Sequence, residues 1–334
     1  MSATILTVSD LGVAFGKGRS AAEVVRGVSF SIPSGKTLAL VGESGSGKSV
    51  TCRTIMGLLA PNATVTRGSI DYVCDKGDGR TEDLLKVKQS RMRQIRGDGI
   101  AMIFQEPMTS LNPVFRVGWQ VAEALQLHRS MSRQEAREMA VELLERVGIA
   151  SPRQRVREFP HQLSGGMRQR VMIAMAMACA PGLLLADEPT TALDVTVQAQ
   201  ILDLMVQLKE REGAAIMLIT HDMGVIAEMA QRVAVMYAGV VMEEASVNEL
   251  FDSPLHPYTQ GLLESIPNKY SRGTALKAIP GIVPNLLQLP TGCRYRDRCP
   301  AVHAPCSVSE PPLLPMPDGV RRVRCWLHHP DAPV

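Results

Sequence analysis

The chain has 334 residues, 45% hydrophobic and 21% charged, with a formal net charge of +3; that length prompts one large or two small domains around a real core. The charge is too small to argue for nucleic acid, and 4% aromatic residues leave no base-stacking platform. The longest apolar run, 171–186, is broken by Pro181-Gly182, and Met1-Ser2-Ala3-Thr4 lacks a charged start and an apolar signal core, so the expectation is a cytosolic protein whose seven cysteines are reduced or metal-bound.

From Ile5 to Val41 apolar and polar residues alternate, with breaks at Gly16-Lys17-Gly18 and Pro33-Ser34-Gly35, which predicts a small, mainly antiparallel sheet. Its last run, Thr37-Leu38-Ala39-Leu40-Val41, reads as a buried strand. Next comes Gly42-Glu43-Ser44-Gly45-Ser46-Gly47-Lys48-Ser49, a full match to G-x-x-x-x-G-K-[ST], followed by a helix-compatible stretch over 50–59. Strand, loop, helix is the order a phosphate cradle requires. The glycines let backbone N–H groups wrap the phosphates, Lys48 reaches the terminal ones, and the Ser49 hydroxyl ligates Mg²⁺.

Gly68 to Cys74 is strand-like, 75–80 is a polar loop, and Ile100-Ala101-Met102-Ile103-Phe104 is a second buried strand, ending at Gln105. From Glu106 to Gln162 the spacing turns helical, over 117–128 and 133–147, with Ser132 and Glu135 forming a capping box. This predicts a helical insertion in an α/β domain. Beyond it, the apolar strands Leu183–Ala186 and Ala215–Thr220 alternate with helical stretches 195–211 and 223–230, the pattern of a parallel sheet covered on both faces. After Ile266 prolines and glycines multiply and periodicity fades. We place a domain boundary near Pro267 and expect 268–334 to form a small appended module.

Chemistry concentrates at the strand ends. Asp187-Glu188 closes the 183–186 strand: the first acid suits Mg²⁺, the second suits orienting or deprotonating an attacking water. His221 follows the next strand, where it can hydrogen-bond a γ-phosphate, and Gln105 can contact Mg²⁺ or the water. A second glycine-rich motif, Leu163-Ser164-Gly165-Gly166-Met167, starts a helix; Ser164 is a good N-cap and the N–H groups after it make an anion site.

Taken together, these residues resemble the nucleotide-binding subunit of an ABC transporter over about 5–250. The resemblance matches Gly42–Ser49 to the Walker A loop, Gln105 to the Q-loop and Leu163–Met167 to the signature. It matches Leu183–Asp187 to Walker B, Glu188 to the catalytic acid, Ala192-Leu193-Asp194 to the D-loop and His221 to the switch histidine. It implies the cassette fold: an antiparallel β subdomain, a parallel-sheet core, a helical subdomain at about 106–162, and here a Cys-rich extension. It also implies that each ATP lies between the Walker A loop of one subunit and the signature of another. An aromatic side chain commonly stacks on adenine in this family; Phe15 is the candidate, with a plain core role as the alternative.

Three stretches, 104–113, 163–170 and His256-Pro257-Tyr258-Thr259, resemble the peptide importer branch, which includes oligopeptide, dipeptide and nickel systems. Met167 is similar to the D-type dipeptide subunit, and Glu106 stands where Asp is commoner. The resemblance implies a second, homologous ATPase subunit, two membrane permease subunits touched through 107–116, and indirectly a solute-binding protein. The chain would then sit on the cytoplasmic face of the inner membrane, without nucleic acid. Nickel or another small solute is the alternative cargo, and a soluble ABC ATPase acting on nucleic acid the alternative class.

The tail carries Cys293, Cys299, Cys306 and Cys325. In a cytosolic, loop-rich segment four cysteines point to metal rather than disulfides. Their spacing does not fit paired C-x-x-C zinc knuckles and allows a [4Fe–4S] cluster, which related importer ATPases carry at matching positions. Zinc, or no metal, is the alternative. Arg294, Arg296, Arg298, Arg321, Arg322 and Arg324 crowd these positions and are expected either to offset a negative cluster or to form a basic loop near anionic lipid.

Overall fold

The computed structural model describes residues 3–16, 18, 21–74, 79–105, 110–191, 193–266 and 278–329. The boundary expected at Pro267, the stretch Glu106–Thr109 and Ala192 lie outside them. The chain divides into two units, one drawn from Met1–Leu6, Ile32–Thr37 and Asp71–Ile219, the other from Thr7–Ser31, Leu38–Ile70 and Thr220–Val334.

In the first unit, strands β6 (Ile100–Ile103), β7 (Leu183–Asp187) and β8 (Ala215–Ile219) pair in parallel, with Ile103 opposite Ala186 and Asp187 opposite Ile219. All their residues are buried, which is why the sequence reads as continuous apolar runs without alternation. The helical stretch holds helices Val117–Arg129 and Arg133–Arg146, then a turn at Pro152–Arg155. The capping box forms: Ser132 Oγ accepts from Glu135 N at 3.3 Å, and Glu135 Oε2 accepts from Ser132 N at 2.8 Å. A helix over Gln89–Asp98 escaped the sequence reading, because it buries only Met92 and Ile95 and so carries little apolar periodicity.

In the second unit, β1 (Thr4–Phe15) lies between β2 (Ala22–Pro33) and β4 (Ala63–Val73). The end of β4, Asp71–Val73, pairs antiparallel with β5 (Thr81–Asp83) in the first unit. A further sheet runs β3 (Thr37–Val41), β9 (Arg232–Tyr237), β10 (Val240–Ser246), β12 (Arg322–Val323), β11 (Leu314–Pro315). Here the sequence reading is corrected. The alternation over 5–41 predicts an antiparallel partner for β3, yet it pairs in parallel with β9, Leu38 opposite Arg232. Its five residues are all buried, so the strict alternation of a one-faced sheet is missing from it.

The tail does not stand apart. β12 pairs antiparallel with β10, Glu243 opposite Val323. Cys293, Tyr295 and Cys306 share a core with Val41, Val235, Tyr237 and Tyr258. Two-residue strands and single buried aromatics leave no periodic trace in a sequence.

His256 is 1% exposed and caps helix Pro257–Glu264, its Nδ1 accepting from Tyr258 N at 3.0 Å. Burial pushes its pKa from the ordinary 6.5 down to about 3. Between those values the unfolded chain binds a proton that the folded chain refuses. This contribution to stability is therefore complete above pH 6.5 and lost as pH falls toward 3. Lowering pH from 7 to 5.5 should cost about 1 kcal/mol through this residue. Urea midpoints at the two pH values test it. His256→Asn keeps a cap acceptor and should show a smaller drop than the wild type; an equal drop would disprove the linkage.

Candidate nucleotide site

The phosphate loop belongs to the second unit, between β3 and helix Lys48–Ile55. Its glycines are needed for space as well as conformation. Gly42 has φ +145°, and a Cβ there would stand 2.0 Å from the Met236 carbonyl oxygen. Gly47 has φ +100°, and a Cβ would stand 2.8 Å from the Val24 carbonyl oxygen. Lys48 is nearly buried and donates to Gly42 O at 2.8 Å, Glu43 O at 2.9 Å and Ser46 Oγ at 3.3 Å. The loop is thereby curled around its own ammonium, the arrangement a phosphate cradle uses. Ser44 and Gly45 are exposed at the lip, and Ser49 is half-buried in the first helical turn.

His221 and Asp222 line a cavity of about 410 Å³ with Val41, Gly42, Glu43 and Met223, so the expected switch histidine and the start of the loop face one space. Phe15 is half-buried at the end of β1, in the same unit. Glu43 gives its carboxylate to Arg298, a contact the sequence reading missed.

In the first unit the paired acids close β7. Asp187 is 1% exposed. Glu188 has φ +49°, an uncommon backbone conformation for a residue with a side chain, and strain of about 1–3 kcal/mol at one position is characteristic of functional sites. Its N–H donates to Ile219 O at 2.9 Å, which fixes the turn. Its Oε2 accepts from Gln105 Nε2 at 3.0 Å and from Thr191 Oγ1 at 2.8 Å. Gln105 and Glu188, 83 residues apart, are thus brought together. Thr191 was missed, although a hydroxyl three residues after an acid in a turn is a legible signal.

Ser164 caps helix Gly165–Met177, its Oγ accepting from Met167 N at 3.3 Å. Leu163 is buried, while Ser164 and Gly165 are exposed, leaving the helix start open to solvent. Gln169, 2% exposed, donates to Pro189 O and ties this helix to the turn that holds Glu188. Asp194 caps helix Val195–Glu212, accepting from Val197 N at 3.0 Å.

The four tail cysteines lie in the second unit, and no disulfide joins any of the chain's seven, all of which are described. Burial pushes Cys293 up to about 12 and Cys325 up to about 11, and raises Cys299; each also feels the charge of its neighbours among the four. The donors are of the right chemistry for iron. Among the described residues, however, no group of three or more His, Cys, Asp or Glu side chains stands close enough to hold a metal ion. The arginines are a correction. Arg294 pairs with Glu310 at 3.2 Å, Arg298 with Glu43 at 2.6 Å, Arg321 with Asp318 at 2.6 Å and Arg322 with Glu244. Arg296 meets Asp297 and Thr291, and Arg324 the carbonyls of Val241 and Pro311. A carboxylate is the stronger partner for a guanidinium, since the pair forms charge-assisted hydrogen bonds.

A glycine loop that opens a helix, and paired acids at the end of a parallel strand, are the equipment of a nucleoside triphosphatase. The model of the ABC transporter family matches residues 25–191, and that of the oligopeptide/dipeptide transporter C-terminal region matches 242–306. The chain belongs to the ABC transporter family of ATP-binding proteins. It is 49% identical to the oligopeptide transport ATP-binding protein AppD of Bacillus subtilis, over 98% of both chains. It is 47% identical to the dipeptide transport ATP-binding protein DppD of the same organism, over 98% of this chain and 96% of that one. Among solved structures it resembles the ATP-binding cassette MJ0796, a dimer in a post-hydrolysis state bound to ADP and Pi. There the TM-score is 0.63 and the identity 28%, covering 73% of this chain and 99% of that one. No helix of the described residues is long and apolar enough to cross a membrane.

Proposed function

We propose that this chain is the ATP-hydrolysing subunit of a di- and oligopeptide importer, bound peripherally to the cytoplasmic face of the inner membrane. The observation that carries this reading is the oligopeptide/dipeptide C-terminal match at 242–306, on a chain nearly half identical to peptide transport subunits from end to end. We assign 1–267 to the ATPase, with a helical subdomain at about 106–162, and 268–334 to the C-terminal module.

Backbone N–H groups of Gly42–Ser49 and the Lys48 ammonium bind the phosphates of one ATP. Ser49, Asp187 and Gln105 would hold Mg²⁺, which would supply neutralisation of charge developing on the phosphates. Glu188, oriented by Gln105 and Thr191, takes the proton of the attacking water; His221 donates to the γ-phosphate. Phe15 stacks on adenine. The exposed helix start at Ser164-Gly165-Gly166, between Leu163 and Met167, closes over the ATP of a homologous partner, and Asp194 lies on that interface. Each ATP thus requires two chains, here a heterodimer.

The helical subdomain offers a docking place for the two permease subunits, and through them a link to a solute-binding protein. Phe115 and Trp119 stack 4.4 Å apart and are 41% and 45% exposed, beside a cavity of about 710 Å³ that Arg137, Arg153 and Phe159 also line. The test is reconstitution with both membrane subunits in proteoliposomes. ATP hydrolysis should rise when a peptide-loaded binding protein is supplied, and Trp119→Ala should weaken assembly by at least about thirtyfold while the isolated chain still binds ATP. Co-purification with nucleic acid instead of permeases would refute the reading.

A second reading rests on the four tail cysteines. We propose that Cys293, Cys299, Cys306 and Cys325 would hold a structural [4Fe–4S] cluster, a reading carried by their number, their spacing in the sequence and their donor chemistry. Anaerobic purification should yield brown protein with iron and sulfide near four per chain. Folded, colourless, iron-free protein would sink it.

A further inference from the structure

Glu43 is the one acid in the phosphate loop, where a carboxylate repels the anion the loop serves. Two groups from beyond Ser253 meet it. Arg298 grips its carboxylate bidentately, Nη1 to Oε2 at 2.6 Å and Nη2 to Oε1 at 3.0 Å. The Tyr258 hydroxyl oxygen accepts from the Glu43 N–H at 2.9 Å. Both are locked in place. The Arg298 side chain is 4% exposed, its Nε donates to Pro280 O at 2.8 Å, and its guanidinium lies over the rings of Tyr237 and Tyr295 at 5.7 and 6.0 Å. Tyr258 packs against both of those rings, at 4.7 and 5.3 Å.

We propose that Arg298 and Tyr258 are positioning residues of the phosphate loop, through which the C-terminal region neutralises Glu43 and fixes the loop in its ATP-binding shape. This deepens the assignment of Gly42–Ser49 as the ATP loop and rests on it. The physical content is electrostatic. With Arg298 gone, a partly buried carboxylate faces the triphosphate uncompensated, and Coulomb repulsion at an intermediate dielectric sets a loss of about tenfold in affinity. A merely structural tail would lower stability without that charge signature.

The experiment titrates MgATP calorimetrically into the full chain carrying Arg298→Met, which keeps the apolar stem over the rings, Arg298→Lys, or Arg298→Met with Glu43→Gln. Arg298→Met should weaken ATP binding about tenfold, and the deficit should shrink as salt rises from about 0.05 to 0.5 M. Adding Glu43→Gln should bring affinity back to within about threefold of wild type, because the repelling charge is gone. Arg298→Lys should lose less than Arg298→Met. Unchanged affinity in Arg298→Met, or a salt-independent loss that Glu43→Gln leaves in place, overturns the proposal. If Arg298→Met does not fold, a folded Arg298→Lys that binds as weakly as tenfold below wild type overturns it equally. Lys48→Ala separates the two readings: wild-type ATP binding in that variant fells the loop assignment itself, while its loss beside an unaffected Arg298→Met fells only the role of Arg298.

Discussion

Glu188→Gln is expected to bind ATP with near wild-type affinity and to hydrolyse it at least about a hundredfold more slowly. The substitution keeps shape and backbone demand: Gln tolerates the φ of +49° no worse than Glu, and its carbonyl oxygen can still accept from Gln105 Nε2 and Thr191 Oγ1. What it removes is the capacity to take a proton. The measurement is twofold, steady-state hydrolysis by the assembled complex and ATP-dependent association of the ATPase pair by size-exclusion chromatography. A variant that no longer turns over ATP should stay associated in its presence, because the bound nucleotide is not converted to products. Unchanged hydrolysis would remove Glu188 from the role of general base. Thr191→Val gives a graded companion, since it loosens one of the two hydrogen bonds to Oε2 while leaving the acid in place.

How much of this was legible depends on the range of the interaction behind each feature. The phosphate loop, β3, β7 and the Ser132–Glu135 cap are local: a strand, a turn and a helix start fix one another within a dozen residues. Gln105 and Glu188 were named separately from their strand ends, and parallel pairing of β6 with β7 is what sets them side by side. The tail was legible in composition and opaque in structure. Its cysteines pointed to metal, yet nothing in the string 293–299 says that Arg298 reaches back 255 residues to Glu43. Nor does an arginine count reveal its acceptors. Six arginines beside four cysteines invited a charge argument, and carboxylates at Glu43, Glu244, Asp297, Glu310 and Asp318 took all six.

Lys48→Ala should have the opposite signature to Glu188→Gln, with ATP affinity reduced at least about a hundredfold and turnover lost as a consequence. Two effects combine. The first is direct: the ammonium is the only cation of the loop, and without it the loop offers the terminal phosphates no positive side chain, only backbone N–H dipoles and the Ser49 site. The second is structural. Lys48 donates to the Gly42 and Glu43 carbonyls and to Ser46 Oγ, so it holds the loop in its curl. Removing it leaves those acceptors without these donors and lets the loop relax, which adds an ordering cost to binding. Lys48→Arg distinguishes the two. It keeps the charge, but a planar fork cannot place three donors where a compact ammonium does, so binding should recover only in part. Equilibrium titration with MgATP reads the affinity, and thermal melting without nucleotide reads the loop. If Lys48→Ala melts as wild type and loses only affinity, the curl is held without the lysine, which then acts purely on the phosphate. Full recovery in Lys48→Arg would mean that charge, not donor geometry, is what the loop requires at this position.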